Sequence, residues 1–563
     1  LLPLATIFRP DNVFTDVARA EELADLTGLP LTELVAFRPQ RLALHELLIR
    51  VTADFTVPDG SAIGDLGINF REIVRDLLAR CIEPQMDAVI AAYASLREEL
   101  ARVVEHEIAI AFGGNAAPPP TPKPRGGFLE RLGWKRDVTV AVKSDTATGA
   151  DVPDAEIAAA ARAAVARVIA ALTVRHGALW GSRELVASLA TDLACNDFGS
   201  ERIGRLIDPW LQRAAAEVPY RLLPPQAQPV VMNTKGASAS GKSTLRPLQK
   251  RLAGQIGVDW QDFALISPDI WRKQLIDYGA LGDAYRYAGA FSGEELSIVD
   301  QKLDRYMARK AARGRMSHLL IDRFRFDSFA ADSEEAGSNL LTRFGRFVYL
   351  FFMITPPASL VERAWNRGLE FGRYKAVDDT LAHSVEAYSG MPQLFFTWVK
   401  RIDKRVHFEF LDNSVRSGEP PRTVAFGWNT ELNVLDVKCL LDVERYRRVD
   451  VDARSPDRMF ADASALAAAK NTGFLCQCVA RFATVNFADS RTGRVYLHVA
   501  GGTPVWADPE GLASALADPE TRAGLAAAVP DALTRTLPAP DAPAYLRALD
   551  ADERRNTLGA WGA

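Results

Sequence analysis

At 563 residues the chain is too long for one ordinary hydrophobic core, and its length suggests about three or four domains. Its 48% hydrophobic and 25% charged residues are those of a globular protein, and a formal net charge of −4 supplies no overall basic field to recruit nucleic acid. Five scattered cysteines, an odd number, argue against a disulfide framework and suit a reducing compartment. No uninterrupted apolar run reaches the ~18–20 residues of a membrane span. No basic-then-apolar leader opens the chain, which begins at Leu1 rather than methionine. These features predict a cytoplasmic protein with no membrane partner.

The first elements read as helices. Apolar residues recur at helical spacing over Leu31–Val51 and Phe70–Phe112, with Ile73, Leu77, Leu78, Cys81 and Ile82 on one face, and the turn cluster Val57-Pro58-Asp59-Gly60 separates the two stretches. Residues 1–112 are therefore expected to form a helical domain. The text GGNAAPPPTPKPRGG over 113–127 reads as a linker, because consecutive prolines favour extended, poorly packing chain. Residues 128–223 are expected to be a second helical region, with helices over Asp154–Val174, Ser182–Leu193 and Ile203–Val218. Pro224-Pro225 ends it.

From 224 to 422 the pattern changes. Short β-rich runs at Val230–Asn233, Phe263–Ser267, His318–Asp322, Phe347–Thr355 and Val406–Leu411 alternate with helical stretches, which predicts an α/β domain with a parallel sheet. Behind the first run stand Gly236, Ala237, Ser238, Ala239, Ser240, Gly241, Lys242, Ser243 and Thr244. The first eight fit the phosphate-loop pattern G-x-x-x-x-G-K-[ST]. Backbone N–H groups of such a loop wrap a polyphosphate, Lys242 reaches the β- and γ-phosphates, and Ser243 places its hydroxyl on Mg²⁺. The two glycines permit backbone angles and a close approach that a Cβ obstructs. Pro247 lies in the first turns of the following helix, predicted over Thr244–Ile256, so that helix starts late or kinks.

Further candidates follow in order. Asp269 lies just past the second strand, where a carboxylate can take a proton from an attacking hydroxyl; the alternative is a helix N-cap. Arg272, three residues on, can bind substrate or phosphate. Asp322 ends the apolar run Leu319-Leu320-Ile321, the pattern of a carboxylate that holds Mg²⁺ beside Ser243, although any apolar strand ending in aspartate matches it. Arg363 and Arg367 are four apart on one helix face, and Arg373 follows after Gly368 and Gly372. Basic residues on a glycine-bounded segment suit a lid that stabilises charge on a transferring phosphoryl group; the alternative is a solvated helix face paired with Glu362 and Glu370.

The phosphate loop, the D-x-x-R of Asp269–Arg272 and the T-P-x…E-R-x…R-G-x…G-R run together resemble zeta-toxin-like P-loop kinases. The resemblance covers Pro229–Asp412, about a third of the chain. It implies ATP and Mg²⁺ as cofactors, held at Lys242 and Ser243. It also implies Asp269 as the base, and phosphate-clamping arginines among Arg363, Arg367 and Arg373. Toxins of that family phosphorylate a hydroxyl of a UDP-linked amino sugar, and relatives act on other nucleotides. This chain departs from the compact toxin in its large helical N-terminal region and in its C-terminal extension.

Residues 423–563 are expected to be a smaller α+β region. Short strands are predicted over Val424–Arg447 and Phe482–Trp506, a helix over Ala461–Val479, and short helices from Pro509. Cys476 and Cys478 form a C-x-C without a second Cys/His pair and read as buried thiols rather than zinc ligands. The sequence thus predicts an ATP-dependent kinase acting on a small-molecule hydroxyl, with the helical N-terminal region free to bind a protein partner. The competing readings are a non-catalytic nucleotide-sensing module and an ATPase that regulates a partner.

Overall fold

The computed structural model describes residues 2–60, 64–113, 154–218, 220–322, 340–371, 374–416, 418–460, 462–539 and 556–562. The expected linker from 114 onward, residues 128–153 of the second helical region, and Arg373 lie outside the described residues.

The chain divides into two compact units, one of Leu1–Arg9, Ala43–Gln85 and Leu206–Ala563, the other of Pro10–Leu42 and Met86–Arg205. The five expected segments do not coincide with these units, because each unit is assembled from separated stretches of chain.

The second unit is helical. Its Met86–Gly113, Ala155–His176 and Arg183–Ala194 helices pack on one another. Ala155–His176 is held by caps at both ends. Asp154 accepts from the Glu156 N–H, and Gly177 closes the far end at φ 76°. It is long and apolar enough to cross a membrane by length and composition. Here it buries Ile157, Ala161, Val165, Val168 and Leu172, while Arg162 and Arg167 on its other side pair with Glu107 and Glu33.

The first unit contains a ten-stranded sheet in the order β10-β9-β8-β7-β6-β5-β4-β1-β3-β2. Its strands are β1 Val230–Lys235, β2 Phe263–Ile266, β3 His318–Asp322, β4 Phe347–Ile354 and β5 Arg405–Asp412. They continue as β6 Arg422–Trp428, β7 Glu431–Val434, β8 Thr484–Ala488, β9 Val495–Ala500 and β10 Thr503–Ala507. The strands β2-β3-β1-β4-β5 are mutually parallel. Their near-continuous apolar runs follow from burial on both faces.

The expected boundary at 422/423 does not divide the sheet. β6 pairs antiparallel with β5, so the C-terminal strands extend the parallel ones. One apolar core unites them. Phe352, Phe395, Phe408 and Phe410 pack with Phe474 and Phe482 from the C-terminal region. Each buried phenylalanine contributes about 1.5–3 kcal/mol, so the shared core outweighs any local break in sequence pattern.

Two other expectations change. Part of Val424–Arg447 is helix, over the nine residues Val437–Arg445, started by Asp436, whose side chain accepts from the Cys439 N–H. Ala461–Val479 is helical only from Gly473, after short 3₁₀ turns at Ala463–Leu466 and Ala468–Lys470. Cys478 is buried and Cys476 partly exposed.

Candidate active site

Because β2, β3, β1, β4 and β5 run parallel, their carboxyl ends lie on one edge of the sheet. In register, Thr234 of β1 faces Asp322 of β3, Lys235 faces Phe352 of β4, and Ile354 of β4 faces Asp412 of β5. The segments leaving that edge carry Gly236–Ser243, Asp269, Thr355 and Asn413. Open α/β sheets bind ligands at such an edge.

The phosphate loop spans from Gly236 to Gly241, and a 3₁₀ turn over Lys242–Leu245 leads into the Arg246–Gln255 helix. The helix thus starts late, and Pro247 sits in its first turn, where its missing N–H costs no helical hydrogen bond. Gly241 has φ 91°, and a Cβ there would lie 2.3 Å from Asn413 Nδ2. Ala239 has φ 64°, the one positive-φ residue other than glycine among the described residues. That conformation costs an alanine about 1–2 kcal/mol, so its surroundings must hold it.

Those surroundings are specific. Asn413, buried just past β5, donates from Nδ2 to the Ser240 carbonyl at 2.7 Å, and Thr355 Oγ1 approaches the same oxygen at 3.4 Å. The Asn413 N–H donates to the Ile354 carbonyl at 2.9 Å. Thr355 is fixed in turn by Tyr388, whose hydroxyl accepts from the Thr355 N–H at 2.7 Å and donates to its carbonyl at 2.9 Å. Arg363 Nη2 donates to the Asn413 carbonyl at 2.6 Å. Thr244 Oγ1 donates to the Gly241 carbonyl at 2.6 Å and closes the turn. Ser240 Oγ is buried with no hydrogen-bond partner among the described residues. Ser238 and Ser243 are partly exposed on the loop.

Lys242 folds over this loop, its Nζ donating to the Gly236 and Ala237 carbonyls at 3.1 Å each. Burial lowers its pKa, the charges of Asp322 and Asp269 raise it, and Arg367 lowers it further. Burial raises the Asp322 carboxyl, against the pull of Lys242, Arg246 and Lys235. Arg246 is itself lowered by burial. Lys242, Asp269, Asp322 and Arg367 therefore act on one another at one edge. Arg363 belongs to the support of the loop through Asn413.

Asp269 lies inside the 3₁₀ turn Pro268–Ile270, whose N-cap is Ser267. Its side chain is largely exposed and pairs with Arg272 Nη2 at 3.3 Å. Arg272 Nη1 donates to the Gly289 carbonyl at 2.8 Å and to Ser292 Oγ at 2.6 Å. Arg272 thus ties the Asp269 turn to the 288–292 segment, and substrate binding there requires it to share these bonds.

Two residues that the sequence did not single out complete the cluster. Lys375 and His383 are in hydrogen-bond contact through Nζ and Nδ1. Burial pushes Lys375 down to about 8 and His383 down to about 4, and both feel the charges of Lys242 and Asp269. Asn413 was also missed, and Thr355 was quoted only as the start of the T-P-x run, although each is a polar residue at or just past the end of a strand, the signal that marked Asp322.

Among the described residues no group of three or more His, Cys, Asp or Glu side chains is arranged to hold a metal ion by itself. A cavity of about 560 Å³ in the helical unit is lined by Leu23, Ile90, Arg97 and Leu189 among others. One of about 660 Å³ in the first unit is lined by Tyr220, Lys250 and Trp260 among others. Phosphate-loop residues line neither.

No protein-family model matches the chain. No curated protein matches it. Among solved structures, it is similar to a chain of the crystal structure of the native AvrRxo1-ORF1:-ORF2 complex at 17% identity, with a TM-score of 0.27. The match covers 37% of this chain and 61% of that one.

Proposed function

We propose that the first unit is a phosphotransferase that moves the γ-phosphate of ATP to a hydroxyl of a small molecule. The observation that carries this reading is the meeting of Lys242, Asp322, Asp269 and Arg367 at the carboxyl edge of a parallel sheet, beside a phosphate-loop sequence. The residues fit a polyphosphate. Lys242 and Arg246, both lowered in pKa by desolvation, and the buried Ser240 Oγ of the same loop, which has no partner among the described residues, suit an anion. Lys242 would hold the terminal phosphates. Ser243 and Asp322 would hold Mg²⁺ together with phosphate oxygens, since the described residues contain no group of three or more His, Cys, Asp or Glu side chains arranged for a metal. The metal supplies charge neutralisation on the phosphates when bound. Asp269 would accept the acceptor's proton, and Arg367 would stabilise charge on the transferring group.

The acceptor is read as a small molecule, including nucleotides and nucleotide sugars by the zeta-toxin-like resemblance. Arg272 would contact it.

One observation favours a nucleotide-sensing module instead. Asp269 already pairs with Arg272, and Arg272 with the 288–292 segment, which is the arrangement of a structural tie. Asp269→Asn separates the two readings. It keeps the shape and removes the base. A kinase predicts a folded variant that binds ATP as the wild type does and transfers phosphate at least ~100-fold more slowly. Transfer at the wild-type rate leaves Asp269 as a tie.

A further inference from the structure

Lys375 and His383 belong to no motif in the sequence, yet they stand in the charge cluster of the phosphate loop. Lys375 lies just before the Val377–Val399 helix, and His383 lies two turns into it, on the face that reaches back to Lys375. With Lys375 protonated, their contact has one polarity. His383 Nδ1 accepts the Lys375 proton, which requires the imidazole to be neutral with its own proton on Nε2.

The groups facing Lys375 come from four elements. Arg367 acts on it from the preceding Pro357–Phe371 helix, Lys242 from the phosphate loop, and Asp269 from the turn after β2. Asp379 and His383 act on it from the Val377–Val399 helix that follows it. Lysine, arginine and lysine thus converge, and the imidazole beside them carries no charge at neutral pH. A half-buried ammonium among other cations is stabilised poorly by a neutral ring. An anion entering between Lys242 and Lys375 would relieve the repulsion between them and replace the imidazole as the acceptor.

We propose that Lys375, poised by His383, is a phosphate-binding residue of this site and transfers its hydrogen bond from His383 Nδ1 to a polyphosphate oxygen on nucleotide binding. The proposal rests on the reading of the loop as an ATP site. It adds a cation that no phosphate-loop pattern contains. No bond between heavy atoms changes; a protonated Lys375 keeps its proton and offers it to the phosphate, and the neutral fraction takes its proton from solvent. Near its lowered pKa of about 8, Lys375 is partly deprotonated in the free protein, and the phosphate restores full protonation. ATP binding is therefore coupled to proton uptake.

Titration calorimetry of the full chain with ATP, at pH 8 in two buffers of different ionisation enthalpy, reads this directly. The wild type is expected to take up about half a proton per ATP through Lys375, from a pKa of about 8. Lys375→Met keeps the length and apolar stem. It should lose that uptake and bind ATP about ten- to a hundredfold more weakly, the loss of one charge-assisted bond. Lys375→Arg, whose guanidinium stays protonated, should bind ATP without the uptake. Equal melting temperatures show that both variants fold, and the arginine variant carries the test alone should the methionine variant not fold.

Wild-type affinity and uptake in the variants overturn the proposal. Loss of ATP binding in Lys242→Ala with no change in Lys375→Met overturns it while leaving the loop assignment standing. A wild type that binds no ATP overturns both.

Discussion

Asn413→Ala removes one hydrogen bond and little else. Asn413 Nδ2 is the 2.7 Å donor to the Ser240 carbonyl, in a loop that holds Ala239 at φ 64°. The other donor to that oxygen, Thr355 Oγ1, stands at 3.4 Å and cannot substitute without moving. The Arg363 contact and the bond to Ile354 use Asn413 backbone atoms and survive the change. The loss is that of a buried carbonyl left unsatisfied, about 1–3 kcal/mol. In a melt of a unit this large this is a fall of about 1–4 °C. The strained loop should also relax, so ATP affinity measured by calorimetry should fall in the same preparation. Asn413→Asp sets a carboxylate against the carbonyl and should do more damage to both. Unchanged melting and unchanged ATP affinity in Asn413→Ala would refute the assignment of Asn413 as the support of the phosphate loop.

Lys242→Ala should weaken ATP binding and abolish phosphoryl transfer, because the β- and γ-phosphates lose their cation; calorimetry and a product assay check it. Arg367→Ala should lower turnover on the order of 10³-fold with little change in melting temperature, whereas Arg363→Ala should act through the loop and lower both. Glu409 gives a pH dependence. It is buried, accepts from the Leu558 and Gly559 N–H groups and from Thr423 Oγ1, and burial pushes it up to about 7. A carboxyl raised in the folded state binds more protons there than when unfolded. Its contribution is full below the ordinary glutamate range and is lost as pH rises to about 7. Melting temperatures from pH 4.5 to 7.5 should show this fall, on the order of 3 kcal/mol, and Glu409→Gln should flatten it.

The five parallel strands were legible because each is an apolar run closed by a polar residue, and that pattern places Asp322 and the phosphate loop on one edge. The late start of the helix behind the loop was legible from Pro247, since proline suits only a first turn. The union of the C-terminal strands with the sheet was not legible. It depends on the antiparallel pairing of β5 with β6 and on Phe395 meeting Phe474 and Phe482, contacts between residues about 80 apart that no local spacing encodes. Val437–Arg445 carried its signal in Asp436, a capping residue ahead of an apolar face, but the adjoining strands masked it. Thr355 and Asn413 follow the same rule as Asp322. Lys375 and His383 follow no rule of sequence, because folding alone brings them to Lys242.

Phosphoryl transfer at the phosphate loop is tested most directly by following the phosphate itself. The protein is incubated with γ-labelled ATP, Mg²⁺ and a small-molecule extract, and labelled products are resolved by chromatography and mass spectrometry. The wild-type chain should yield a labelled phosphomonoester and Lys242→Ala none. Wild-type protein that binds ATP yet labels nothing beyond free phosphate would contradict it, as would the same product formed at the same rate by Lys242→Ala.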